Sequence, residues 1–130
     1  MVGDVTGHGP GPAMVTASVA TAFQVLIENG LDDVEQGLEL LNRQVLRVAK
    51  DKYHMTMAVL VLEESTGQWV IYSAGAPPVL SLGQNGKHRV LFCAGSPLGT
   101  RTGFELGRIE GKLEKSDRLL MYTDGIPESA

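Results

Sequence analysis

The sequence has little cysteine, few aromatic residues and no excess of basic charge. Among 130 residues there is one cysteine, 5% are aromatic, and 11 Lys and Arg stand against 15 Asp and Glu. Cys93 cannot form an internal disulfide, which is typical of a reducing cytoplasm and favours a buried, apolar role. A net charge of −4 argues against a nucleic acid or an anionic membrane surface as partner. We expect a cytoplasmic chain whose partner is a protein or a small molecule.

The sequence also lacks a run that is apolar enough for a membrane span. Its longest uncharged run, residues 9–27, opens with prolines and carries Thr, Ser and Gln side chains. We therefore predict a buried helix from Pro12 to Asn29, with Gly30 at its C-terminal end. The face expected to pack on a sheet consists of small and apolar residues: Ala13, Ala17, Ala20, Phe23 and Ile27.

A second helix is marked by its start and by its apolar spacing. Asp32 is the expected N-cap, and Glu35 follows it as in a capping box. Apolar residues recur at helical spacing after it: Val34, Leu38, Leu41, Val45 and Val48. Beyond this helix, apolar runs are separated by turn residues such as Asn85-Gly86, which predicts antiparallel strands. The order strand, helical hairpin, strands predicts one α+β domain over residues 1–130, with the hairpin packed on sheet.

The opening stretch VGDVTGHGPGPAM places Asp4 near the end of a short strand, followed by a glycine-rich turn. Such a turn lets the backbone approach a phosphate, a nucleotide or a metal ion. A dinucleotide fingerprint is disfavoured, because Pro12 replaces its third glycine and no βαβ unit follows. Asp124 also follows an apolar strand, and carboxylates at two strand ends of a sheet can converge on divalent cations. The alternative is that each Asp only caps its own turn.

Several segments of the sequence, taken together, show a specific resemblance to a known family. In chain order they are GDVTGHGPGPAM, LLNRQVL, HMTMAVLVLEESTGQWVIYSAGAPPVLSL, GSPLGT and DRLLMYTDGIPES. The sequence resembles bacterial SpoIIE-type serine phosphatases, which are relatives of the metal-dependent protein phosphatase 2C family. Ala76 stands where that family often has His or Asn, and Ser116 stands where Gly is usual. The family's upstream acidic motif and its final paired-Asp strand are not in this sequence, so we expect a domain truncated at both ends.

The resemblance implies an αββα sandwich, incomplete here, with two Mn²⁺ or Mg²⁺ ions at one edge. Asp4, the backbone carbonyl of Val5 and Asp124 would match metal ligands of the family. The implied reaction is hydrolysis of phosphoserine or phosphothreonine on a signalling protein by a metal-activated water. A phosphorylated anti-sigma-factor antagonist is one implied substrate class. The rival hypothesis is a catalytically impaired, phosphatase-like module that only binds a signalling partner.

His8 lies in the same turn and is a candidate general acid, because imidazole titrates in a suitable range. The alternative is that it only shapes or caps the turn. His54 and His88 are interpreted as ordinary surface or sheet residues, and Trp69 as a packing residue. Truncation is also expected to expose sheet edges, which predicts a homodimer or strand exchange.

Overall fold

The computed structural model describes residues 1–30 and 32–123 of the chain. Its elements are, in chain order, β1 (Val2–Val5), α1 (Pro10–Glu28), α2 (Val34–Ala49), β2 (Met55–Leu62), β3 (Gln68–Ala74), β4 (Val79–Leu82), β5 (His88–Leu91), β6 (Gly107–Lys112) and β7 (Arg118–Leu120). Each lies within a predicted segment or within a few residues of it. The α+β fold class with a helical hairpin and antiparallel sheets is confirmed.

The first sheet carries the two helices on one of its faces. It is antiparallel, with the strand order β1-β2-β3-β6. Successive residues of a strand point to opposite faces, and one face presents Val5, Met57 and Ala74 to the helices. Val19 of α1 and Val45 of α2 are buried against it. We call this cluster the helix–sheet core.

The second sheet packs on the opposite face of the first. Its strand order is β5-β4-β7. The two sheets meet through a second buried cluster, the sheet–sheet core, which contains Trp69 and Ile71 from the first sheet and Val79 from the second. The packing role predicted for Trp69 is confirmed. Within the described residues no helix lies over the outer face of the second sheet, so three of the four αββα layers are present.

Helix α1 begins earlier than predicted and is buried on a different face. It starts at Pro10, and its buried residues are Pro12, Val15 and Val19. Most of the predicted face is wrong, because the alanines at positions 13, 17 and 20 and Ile27 are exposed. Of the predicted residues, Phe23 does pack against the helix–sheet core. Branched side chains remove more apolar surface from water than alanine methyl groups, so the valines set the rotation of the helix. Gly30 follows the helix at φ 72°, as expected for a helix-ending glycine.

The outer face of α1 is apolar and exposed. Met14, Val25 and Ile27 are 66%, 50% and 50% exposed. By length and composition alone this helix could cross a membrane, with a mean hydropathy of 1.3, but core helices of soluble proteins meet the same criterion. The predicted helix is confirmed, whereas its burial is limited to one side.

Helix α2 has the predicted apolar stripe, with Leu41 and Val45 buried. Its N-cap is Asp33 rather than the predicted Asp32. The Asp33 carboxylate accepts a hydrogen bond of 3.2 Å from the backbone N–H of Gln36. Asp33 has the extended backbone (φ −116°, ψ 101°) that an N-cap needs, and this conformation decides between the two neighbouring acids.

Cys93 is buried, as its composition-based interpretation predicted. Its Sγ lies 3.9 Å from the carbonyl oxygen of Ile71. Burial raises the pKa of the Cys93 thiol above its usual range, so the side chain stays protonated at neutral pH. The structure therefore gives Cys93 a packing role.

Candidate metal centre

Asp4 lies near the end of β1, which is an edge strand of the first sheet. Its partner in the ladder is Thr56, whose hydroxyl donates to the Asp4 carbonyl at 3.4 Å. Paired residues share a face, and Leu60, further along the same face of β2, packs in the sheet–sheet core. Asp4 therefore stands at the end of the first sheet on the side that faces the second sheet, where it is exposed.

The backbone carbonyl of Val5 lies at the outer edge of β1. The N–H of Thr6 donates to the His54 carbonyl at 2.9 Å, and hydrogen-bonded pairs alternate with non-hydrogen-bonded pairs in an antiparallel ladder. Val5 and Met55 are therefore a non-hydrogen-bonded pair. Met55 instead exchanges both backbone hydrogen bonds with Leu98, at 2.9 and 2.7 Å. The Val5 carbonyl points away from β2, at the same strand end as the preceding carboxylate.

The glycine turn (residues 6–11) joins β1 to α1, includes the first two residues of that helix, and packs against Tyr53. A Cβ on Gly11 would lie 2.5 Å from the Tyr53 hydroxyl oxygen and 2.9 Å from two ring carbons. Gly9, the N-cap of α1, has φ 99° and ψ −167°, which only glycine adopts readily. Packing and helix entry thus account for two of the glycines, and the predicted approach of the turn to a ligand stays a prediction.

His8 lies within the glycine turn and is exposed. The turn places it on the connection between the strand that ends in Asp4 and Val5 and the first residue of α1, Pro10. This position is compatible with a proton donor to a bound substrate. Its role as general acid stays a prediction.

Asp124 lies outside the described residues, so its predicted convergence with Asp4 is not tested. The strand that leads toward it, β7, belongs to the second sheet and ends at Leu120. Within residues 1–30 and 32–123, no three His, Cys, Asp or Glu side chains come together as a metal site. Of the three predicted ligands, the structure describes two, the Asp4 carboxylate and the Val5 carbonyl, and their role as ligands stays a prediction. Both are hard oxygen donors, which fit Mg²⁺ or Mn²⁺ completed by water and substrate.

Three residues near this strand end were missed or undervalued in the sequence. Tyr53 packs on the glycine turn, and His54 binds Thr6 twice through its backbone, since its N–H also donates to Thr6 Oγ1 at 3.1 Å. Asn42 of α2 is buried and binds the loop at residues 99 and 100. Only Asn42 carried a sequence signal, as a polar residue within the apolar stripe of α2.

Comparison with known protein families shows to which family the chain belongs. The model of the family Stage II sporulation protein E (SpoIIE) matches residues 1–130. The chain belongs to the SpoIIE family. Phosphoserine phosphatase RsbP of Bacillus subtilis (strain 168) is 29% identical to this SpoIIE-family chain over 126 residues, which are 95% of the chain and 31% of RsbP. The resemblance to SpoIIE-type phosphatases is therefore confirmed.

Solved structures agree with this assignment. The RsbU and RsbW domains of Rv1364c from Mycobacterium tuberculosis give a TM-score of 0.78 at 32% identity, covering 94% of the SpoIIE-family chain and 34% of theirs. RsbX in complex with magnesium gives a TM-score of 0.73 at 19% identity, covering 95% and 58%. This second likeness shows the fold alone. The chain spans about a third of the length of RsbP and of the Rv1364c protein.

Proposed function

We propose that this chain is part of a protein phosphatase that hydrolyses phosphoserine or phosphothreonine on a signalling protein, with Mn²⁺ or Mg²⁺ as cofactor. The observation that carries the proposal is the placement of the Asp4 carboxylate and the Val5 carbonyl at one strand end. Membership of the SpoIIE family and the similarity to the phosphoserine phosphatase RsbP support it. The magnesium in the complex of RsbX, a protein related in fold, supports the choice of cation.

The residues at this strand end have distinct proposed roles. Asp4 contributes negative charge and Val5 a neutral oxygen, and Asp124 is proposed as the second carboxylate. When bound, divalent ions lower the pKa of a coordinated water and offset charge on a phosphoryl group. His8 is proposed to donate a proton to the leaving serine oxygen. The first turn of α1 contains no acidic side chain, so the positive end of its dipole favours a bound anion beside the turn.

The substrate proposal follows the family. RsbP is by name a phosphoserine phosphatase, and a phosphorylated anti-sigma-factor antagonist is the substrate class that the resemblance implies. A cytoplasmic location belongs to the same proposal, since the one cysteine is buried and has no partner for an internal disulfide.

Asp4→Asn tests the proposal. Replacing the carboxylate by an amide removes the charged ligand while keeping the shape of the side chain. We expect Mn²⁺-dependent release of phosphate from a phosphoserine peptide to fall by at least about 100-fold. Asp124→Asn should give a loss of similar size. The measurement is the phosphate released over a series of Mn²⁺ concentrations.

Asp32→Asn is the matched control. Asp32 is an exposed acid beyond the far end of α1, a helix of 19 residues and hence about 28 Å long. This variant should keep its rate within about twofold, because it lies too far from the turn to be a ligand. Full activity in Asp4→Asn would contradict the proposal. A wild-type chain that binds a phosphoprotein without any turnover would favour the catalytically impaired module instead.

A further inference from the structure

Asn42 is a buried polar residue within the apolar face of α2. The residue is 7% exposed, and its neighbours on that face, Leu38, Leu41 and Val45, all belong to the helix–sheet core. Burying an amide costs free energy unless its polar atoms are hydrogen-bonded. A leucine would continue the stripe without this cost. We therefore expect the Asn42 amide to form hydrogen bonds with polar groups that an apolar side chain would leave unsatisfied.

The partner is the loop formed by residues 97–100. Asn42 Oδ1 accepts hydrogen bonds from the backbone N–H of Gly99 at 2.6 Å and of Thr100 at 3.0 Å. Asn42 Nδ2 donates to the Thr100 carbonyl at 3.0 Å. Gly99 has φ 98°, and a Cβ there would lie 3.0 Å from Val45 Cγ1, so the loop approaches α2 as closely as a glycine permits. One side chain thus fixes two consecutive residues of the loop.

The same loop is bound to the strand that supports β1. Leu98, next to Gly99, is fully buried and exchanges two backbone hydrogen bonds with Met55, at 2.9 and 2.7 Å. Met55 is the ladder partner of Val5 on its other side. The contacts therefore run without a gap from Asn42 through the loop and the first residue of β2 to the end of β1.

We propose that Asn42 is a positioning residue, which through the loop 97–100 and Met55 holds the strand end that carries Asp4 and the Val5 carbonyl. The inference rests on the proposed function insofar as that strand end binds a divalent cation. Asn42 does not touch the substrate or the cation. Its effect is to keep the two oxygen ligands in one arrangement, so its loss raises the cation concentration that the site needs.

The test compares Asn42→Ala with the wild-type chain by amide hydrogen exchange and by the Mn²⁺ dependence of phosphate release. Loss of the side-chain bonds should speed exchange at Gly99 and Thr100 by at least about tenfold. Exchange at Met55 and Thr6, whose N–H groups bind Leu98 and His54, should also become several-fold faster. The Mn²⁺ concentration at half-maximal rate should rise several-fold, with kcat at saturating Mn²⁺ changed by less than about twofold.

Two further variants separate positioning from general stability. Gln44→Ala removes a hydrogen bond of 2.6 Å from α2 to Ser18 of α1, so it perturbs the same helix without touching the loop. It should leave the Mn²⁺ midpoint unchanged. Asn42→Asp keeps an acceptor for both loop N–H groups but loses the donor to Thr100. It should retain slow exchange at Gly99 and give a midpoint between those of wild type and Asn42→Ala.

Fast exchange confined to Gly99 and Thr100 in Asn42→Ala, with Met55, Thr6 and the Mn²⁺ midpoint unchanged, would overturn the inference. An equal shift of the midpoint in Gln44→Ala would also overturn it, because any weakening of α2 would then suffice. A wild-type chain without Mn²⁺-dependent turnover would overturn the proposed function. The exchange comparison would still decide whether Asn42 holds the strand end.

Discussion

The two helices lie side by side on the same sheet, yet they differ in most of the features that stabilise a helix locally. α2 has Asp33 as its N-cap, Glu35 in its first turn and Arg47 in its last turn, which all suit the helix dipole. α1 has Gly9 as its N-cap without a side-chain hydrogen bond, no acidic residue in its first turn and no basic residue in its last. The stability of α1 must therefore come from its tertiary contacts.

The two helices also differ in how they are connected to the end of β1, which carries Asp4. α2 contributes the buried Asn42, which binds the loop beside β2. α1 is connected to the strand end through the glycine turn, and only Pro12, Val15 and Val19 are buried, while its outer face stays apolar and exposed. Substitutions in the two helices should therefore affect stability in different ways.

The largest effect is expected from Leu38→Ala in α2. Leu38 is fully buried in the helix–sheet core, and truncation of such a leucine costs about 2–5 kcal/mol of unfolding free energy. Leu40→Ala on the same helix is the matched control, because Leu40 is exposed and should change stability by no more than about 0.5 kcal/mol. Urea denaturation measures both. Equal losses would mean that the assigned core face of α2 is wrong.

A smaller loss is expected from Gly11→Ala at the start of α1. The added methyl group would lie too close to the half-buried ring of Tyr53, so the ring or the helix start must shift, and the cost should be about 1–3 kcal/mol. The same substitution in a Tyr53→Ala background should cost much less, because the obstacle is gone. Denaturation of all four chains completes this cycle. An unchanged cost in that background would show that Tyr53 is not the obstacle.

The comparison of the helices also shows what the sequence could predict. The stripe of α2, the antiparallel strands and the position of Asp4 at a strand end all follow from local patterns, because periodicity and turn residues report on neighbouring residues. The buried face of α1 did not follow, since a helix with apolar residues around most of its surface has no preferred stripe. The loop partner of Asn42 did not follow either, because it lies more than fifty residues away in the sequence.

Removing the N-cap side chain of α2 is expected to lower the stability of the chain moderately. Asp33→Ala removes the acceptor of the Gln36 N–H and should cost about 1 kcal/mol. Asp32→Ala should cost almost nothing, since the neighbouring acid holds the cap. Thermal or urea unfolding distinguishes the two. If Asp32→Ala were the more damaging variant, the sequence-based assignment of the cap would be right after all.

Giving α1 an N-cap side chain like that of α2 should not stabilise it. Gly9 occupies φ 99°, so an aspartate there would meet backbone strain of about 1–3 kcal/mol before it could accept a hydrogen bond. Gly9→Asp is therefore expected to destabilise the chain in urea denaturation. A gain in stability would show that α1 starts in a different conformation.

The smallest change in stability is expected for a substitution on the exposed outer face of α1. The same variant also tests whether this face takes part in self-association. Val25→Gln should leave stability within about 0.5 kcal/mol, because Val25 is half exposed and packs little.

The predicted homodimer or strand exchange depends on sheet edges instead, and β5 is an edge strand whose Val90 is also exposed. Val90→Lys should therefore reduce the scattering mass at high concentration, whereas Val25→Gln should not. A clean monomer in the wild-type chain would contradict self-association altogether, and a loss of mass in Val25→Gln alone would assign it to α1.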